Sequence, residues 1–144
     1  MNNDAENSSN PNGYLLLFRD TSWDRVPPAE YQQVMDRVVA WFDELDRQGK
    51  LAGAQPLLNG GKIVSGKGGR TVTDGPFPES KEAIGGYVLL NTDSEEEALA
   101  IAETNPMLEY GLTVEVRATT AVCPCLQKVK AQLASAELVG SLPT

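Results

Sequence analysis

Histidine is missing altogether from this chain of 144 residues. It is the side chain that ordinarily changes charge near neutral pH, so its absence removes the usual proton shuttle. Ser-His-Asp and Cys-His nucleophile systems are excluded outright. Acid–base work would fall to other side chains with shifted pKa values, and the candidates are Asp74, Glu79, Lys81, Tyr87, Glu115 and Arg117. Cysteine is nearly as scarce. Cys123 and Cys125 are separated only by Pro124, a spacing that would strain a disulfide, so two free thiols are expected. Zinc takes four ligands, and no histidine is present to complete a set around the two sulfurs, so no metal site is expected. No apolar run approaches the ~20 residues of a membrane helix. Basic residues are outnumbered, 12 Lys and Arg against 20 Asp and Glu, leaving a net charge of −8. A field of that sign repels polyanions, so direct nucleic-acid binding is not expected. The opening MNNDAENSSNPNG holds neither a basic segment nor an apolar stretch and reads as a disordered leader rather than a signal peptide. A cytoplasmic home fits this reading, and no motif calls for a cofactor.

What is present is enough for one domain with a real core. YLLLFR at Tyr14–Arg19 is a strand signal bounded by polar residues. Pro27 and Pro28 open a helix, along which Tyr31, Val34, Met35, Val38, Phe42 and Leu45 recur at helical spacing until Gly49. A weaker strand spans Leu51–Leu58, and Pro56 within it suits a sheet edge. KIVSG and RTVTD look like hairpin arms around Lys67-Gly68-Gly69. Another strand follows from Gly85 to Asn91. Ser94 and Glu97 spell a capping box, with Glu95–Glu97 at a helix start where the macrodipole favours negative charge. In Leu112–Ala118, Leu112, Val114 and Val116 share one face while Thr113, Glu115 and Arg117 share the other. Leu126–Leu138 trails as a weakly amphipathic helical appendage. The plan is α+β: a ferredoxin-like split βαβ with an inserted β-hairpin. Its two helices cover one sheet face, and either Tyr87 and Leu89 or Val88 and Leu90 must lie on the other. Exposing that face is costly, and a homodimer pairing two sheets covers it.

Several stretches bear on chemistry. Gly61–Gly68 nearly spells a phosphate-binding loop, but it lacks the final hydroxyl and leads into a strand rather than a helix. Lys62, Lys67 and Arg70 form a local basic cluster between glycines, which is either a solvated hairpin tip or a seat for a small anion. Asp74-Gly75-Pro76-Phe77 is a turn in which Phe77 would anchor by burial. Asp74 either caps that turn or faces a cleft where strand pairing ends. Glu115 and Arg117 project from one face, alongside Tyr87 if Val114 and Val116 face the helices, and Arg117 there serves either an ion pair across a dimer interface or a bidentate clamp for a carboxylate ligand.

Taken together these residues resemble the YCII-related family, in the branch called the DGPF domain after Asp74-Gly75-Pro76-Phe77. The resemblance runs from Gly13 to Ala118 and includes YLLLFR, the Gly49 turn, GKGG at Gly66–Gly69, KEAIGGY at Lys81–Tyr87 and TVEVR at Thr113–Arg117. It implies a ferredoxin-like subunit that pairs into a dimeric α+β barrel, a folding pattern similar to that of small isomerases and monooxygenases. A histidine and an aspartate recurring in the family suggest enzymatic activity, and relatives fused to sigma-factor domains suggest a role in transcription initiation. This chain departs at Asn105, before Pro106, where relatives often place histidine or cysteine, and at Ala118, where they commonly carry proline.

The expectation is therefore a leader over residues 1–12, a YCII-related domain over 13–119 and an appendage over 120–144. The domain is expected to bind a small molecule as a dimeric barrel. A lyase- or isomerase-type step would use Asp74 as base and Arg117 as anion clamp, with Tyr87, Glu115, Lys67 and Arg70 contacting a small anionic or carboxylate ligand. The alternative is a non-catalytic accessory module acting in transcription initiation through protein contacts.

Overall fold

The computed structural model describes residues 10–76 and 82–138. Strand β1 (Gly13–Arg19) leads to helix α1 (Tyr31–Arg47), strand β2 (Leu51–Pro56) and a hairpin of β3 (Lys62–Ser65) and β4 (Thr71–Asp74). Strand β5 (Gly86–Leu90), helix α2 (Glu95–Glu103), strand β6 (Thr113–Thr119) and helix α3 (Pro124–Leu138) follow. The main sheet has the order β2-β5-β1-β6 and is antiparallel throughout. This is the ferredoxin-like split βαβ plan of an α+β fold, with β3 and β4 inserted between β2 and β5 as a separate two-stranded sheet.

Local chemistry accounts for most boundaries. Gly49 adopts φ +72° after α1, and the N–H groups of Gly49 and Lys50 bond back to the carbonyls of Asp46 and Leu45 at 3.0 and 2.9 Å. That is a Schellman closure, which a left-handed glycine permits. Pro27 does not enter the helix as expected. It stays extended, and Pro28–Glu30 form a 3-10 turn ahead of α1, because a residue preceding proline is pushed out of the α region. β2 lies at the sheet edge, where Pro56 needs no ladder partner, and its pairing with β5 slips between Leu51 and Gly53. At the other edge Asn12 N–H donates to the Thr119 carbonyl at 2.9 Å. Strand pairing thus begins at the last residue of the expected leader.

Only half of the expected capping box forms. Ser94 Oγ accepts the Glu97 N–H at 3.2 Å, but the Ser94 N–H donates to Thr92 Oγ1, and the Glu97 carboxylate turns to Lys50 Nζ at 2.7 Å. A cationic partner at hydrogen-bond distance outcompetes a single neutral N–H.

The core lies between the sheet and the two helices α1 and α2. Tyr14 and Leu16 of β1 and Val88 and Leu90 of β5 meet Leu45, Ala98 and Ala102, and all seven are buried. Each large side chain so buried contributes about 1.5–3 kcal/mol. Strand alternation therefore resolves to Val88 and Leu90 inward, with Tyr87 and Leu89 on the opposite face beside the half-buried Leu15 and Leu17. Val114 and Val116 of β6 pack against the core, which turns Glu115 and Arg117 outward with Tyr87, as their spacing predicts.

Candidate functional site

A cavity of about 530 Å³ opens where the C-terminal end of β1, the N-terminal end of β5 and the middle of α1 meet. Its floor is the row Phe18–Gly86–Pro56, three residues in register across β1, β5 and β2. Val38 and Phe42 of α1 form the roof, Met35 and Trp23 stand at the side, and Met107 and Leu112 close the far wall. The sequence makes this space in two ways. Gly86 places no side chain on the floor. Gly85 lets the Thr21 loop approach: a Cβ there would lie 2.6 Å from Thr21 Cγ2 and closer still to its hydroxyl. Aromatic groups give the walls their shape, with Trp41 edge-on to both Phe18 (6.5 Å) and Phe42 (5.0 Å), and Trp23 edge-on to Tyr31 (5.9 Å).

Polar groups at the cavity are few. Asn105 is only 8% exposed, and its side-chain oxygen accepts the Met107 N–H at 2.9 Å to start the turn Pro106–Tyr110. Its amide is held at the cavity wall by that bond and by the following proline. Thr21 and Gln55 add neutral hydrogen-bonding groups. Among the described residues lining the cavity there is no carboxylate, ammonium or guanidinium. Such a site suits a mostly apolar molecule oriented by one or two hydrogen bonds.

A wider, more open groove of about 840 Å³ runs between α1 and α2 and carries charge. Three of its carboxylates are paired. Arg47 binds Glu44 at 2.8 Å and, with help from Gln48, draws the Glu44 carboxyl down to about 2. Lys50 likewise holds Glu97 below the usual carboxylate range, and Arg37 reaches Glu109 at 3.6 Å.

The candidates read from the sequence fall into three places. Asp74 ends β4 on the hairpin, is exposed, and is paired with Lys62 across the strands. Gly75 N–H donates to the Gly61 carbonyl at 3.0 Å, which fixes the corner. Phe77, Glu79 and Lys81 lie outside the described residues, as does the leader before Asn10. Lys67 and Arg70 sit at the exposed hairpin tip, while Lys62 sits at its base. Three residue steps of strand separate the two, roughly 10 Å, so the three cations are not brought to one point. Tyr87, Glu115 and Arg117 share the outer face. Leu17 pairs with Tyr87 on one side and Glu115 on the other. The Glu115 carboxylate is held by Arg19 at 2.7 Å and by Arg117 at 3.3 Å. Of the six candidate site residues only Tyr87 belongs to a segment that borders the cavity, and strand alternation turns its side chain to the outer face.

Val38 and Phe42 carry only the signal of helix packing in the sequence, and Thr21 and Trp23 carry none that marks a cavity wall. The available signal was the glycine pair opening a strand, Gly85-Gly86, together with the stripe of α1 continuing to Met35, which is 43% exposed. A stripe that stays partly bare has space in front of it.

The YCII-related domain matches residues 13–120, three quarters of the chain and every strand of the main sheet. The chain belongs to the YCII-related family. No curated protein matches the chain. Among solved structures it is similar to 5-chloro-2-hydroxyhydroquinone dehydrochlorinase (TftG) from Burkholderia phenoliruptrix AC1100, in complex with 2,5-dihydroxybenzoquinone. The two are 18% identical, with a TM-score of 0.42 over 75% of this chain and 93% of that one. α3, with Cys123 and Cys125, falls beyond the family match.

Proposed function

We propose that this YCII-related protein is a homodimer that binds a small, largely apolar molecule in the cavity between Phe18 and Phe42. The observation that carries the reading is the cavity itself: about 530 Å³, walled by aromatic and aliphatic side chains, with a buried, hydrogen-bonded Asn105 at its edge. A volume of that size matches a drug-sized ligand, and uncharged walls favour a neutral aromatic compound over a carboxylate. The anion clamp expected of Arg117 stands on the outer face, turned away from this space. Asp74, the expected base, stands on the hairpin. Binding is therefore the activity proposed for the single chain.

Support for the second copy comes from the outer face, where Leu15, Leu17, Tyr87 and Leu89 form a continuous apolar centre flanked by Glu115 and Arg117. Left open to water, a patch of that kind is a liability, and a twofold partner covers it with the same residues.

The test is a thermal-shift screen of neutral aromatic and small carboxylate compounds, repeated on Val38→Trp, which fills the roof. Ligands of the native protein should raise its melting temperature by mass action. The neutral class should dominate, and the shift should vanish in the variant while its circular dichroism stays native. Stabilisation that survives the filled roof, or a complete absence of hits, would place the activity elsewhere.

A further inference from the structure

The hairpin of β3 and β4 stands clear of the rest of the chain. Its base is clamped where the Leu57 N–H donates to the Gly85 carbonyl at 2.9 Å. From there its strands pair only with each other, from Lys62 opposite Asp74 to Ser65 opposite Thr71. They make no extensive contact with another described element, and all of their residues are exposed. A lone two-stranded hairpin is marginal in water, and this one is apolar as well. Val64 and Val72 lie directly opposite each other, 63% and 58% exposed, with Ile63 exposed on the other face. Leu57 and Leu58 continue the apolar surface to the base. The hairpin is also basic. Lys62 is paired with Asp74, which leaves Lys67 and Arg70 at the tip as surplus positive charge in a chain of net charge −8.

A second surface matches it. Along α1, Tyr31, Met35 and Val39 recur at four-residue spacing and all three are exposed. Asp36 and Asp43 are exposed beside them, on the same flank by helical spacing. We propose that the β3–β4 hairpin is an arm that clasps a second copy of this chain, laying Val64 and Val72 on that flank of the copy's α1. The inference rests on the homodimer reading above and names the contact that completes it. Each copy offers one arm and one flank, so the contact is made twice and closes under a twofold axis.

Area, charge and reach each select a second copy as the occupant. A stable dimer hides about 800 Å² on each partner, with roughly 20–30 residues a side. Leu15, Leu17, Tyr87 and Leu89 are already half-buried by their own sheet and fall well short of that, so further contacts are needed. Two chains of net charge −8 repel each other, and a cationic arm set against carboxylates offsets the repulsion where the copies meet. The arm leaves β2 at Pro56, and Gln55 just before it is in register with Tyr87 on the outer face. The arm thus begins at the margin of the surface that the homodimer covers. From Pro56 to Ser65 an extended chain spans at most about 30 Å, and a facing sheet lies about 10 Å away, so the arm can pass the edge of the second sheet.

The experiment follows dissociation of the full chain on dilution by sedimentation velocity. Val64→Glu should raise the dimer dissociation constant about tenfold or more. Its circular dichroism and the urea midpoint of the dissociated chain should stay native, because the arm supports nothing in its own subunit. Reversing the arm (Lys67→Glu with Arg70→Glu) or the flank (Asp36→Lys with Asp43→Lys) should each weaken the dimer, and the two reversals together should recover most of the loss. A native dimer whose dissociation constant is unchanged by Val64→Glu would overturn the arm and leave the outer-face dimer standing. A native chain that stays monomeric at micromolar concentration would overturn both. Reversals that weaken the dimer singly and recover nothing in combination would overturn the seat on α1.

Discussion

Lys50 Nζ stands 2.7 Å from Glu97 Oε1, tying the turn that ends α1 to the first turn of α2. The contact replaces the reciprocal half of the capping box and adds an ion pair to the direct contact between the two helices, where Trp41 Nε1 donates to Thr104 Oγ1 at 2.9 Å.

Acidification reads this tie. Glu97 is held below its ordinary value of 4.5, first by Lys50 and then by Thr92. The stabilisation belongs to the ionised carboxylate. It is therefore complete above the ordinary carboxylate range and is lost as pH falls through the lower folded value. Denaturant curves between pH 6 and about 2 should lose stability on the acid side, and Lys50→Met should flatten that limb. Parallel curves for the two proteins would show that the pair does not contribute.

Gly85→Ala tests how the cavity is made. The new methyl meets Thr21 on the loop after β1, and overpacking of this kind costs roughly 1–3 kcal/mol. The variant should unfold at lower urea concentration and lose ligand-induced thermal stabilisation together. Pairing it with Thr21→Gly should recover part of both. A lone Gly85→Ala protein with native stability would mean that the loop yields freely.

Asn105 combines two roles that can be separated. Asn105→Asp preserves the oxygen that accepts the Met107 N–H but puts a charge at an uncharged wall. Asn105→Ala removes the acceptor and should cost about 1 kcal/mol, the usual loss of a cap. Ligand affinity in the cavity should fall for both, measured by titration calorimetry, and the fall should be larger for the charged variant. Unchanged affinity in both would remove Asn105 from the site.

Asp74→Asn should do little. The side chain is 71% exposed and engaged with Lys62 on the neighbouring strand, and exposed pairs of this kind are worth less than about 1 kcal/mol. Stability and cavity binding should both stay near native. Lost binding without lost stability would return Asp74 to the functional site.

Assembly is tested at Leu17, the centre of the outer face. Leu17→Glu places a carboxylate between Tyr87 and Glu115, so two opposed copies would bring like charges together. Light scattering at micromolar concentration should report twice the chain mass for the native protein and the single chain mass for the variant. A native monomer would refute the dimer and leave the outer face to another partner.

How far the sequence alone reached can be seen residue by residue. Alternating valines and charges in Thr113–Arg117 determined which way Glu115 and Arg117 point, because a strand has a period of two whatever surrounds it. Gly49 determined the end of α1, because few other residues take a left-handed turn without strain. These are local rules, and they sufficed for the order of strands and helices. The choice between Tyr87 and Val88 for the core needed the second layer, since a run of apolar residues has no inward side until a helix lies against it. The capping box failed for a related reason: Lys50 lies 47 positions before Glu97, and only the folded sheet places them together. The cavity was hidden in the same way. Phe18, Phe42, Gly86 and Asn105 come from four separate segments. Nothing in any one of them indicates a wall, because a wall is a relation between elements rather than a property of one.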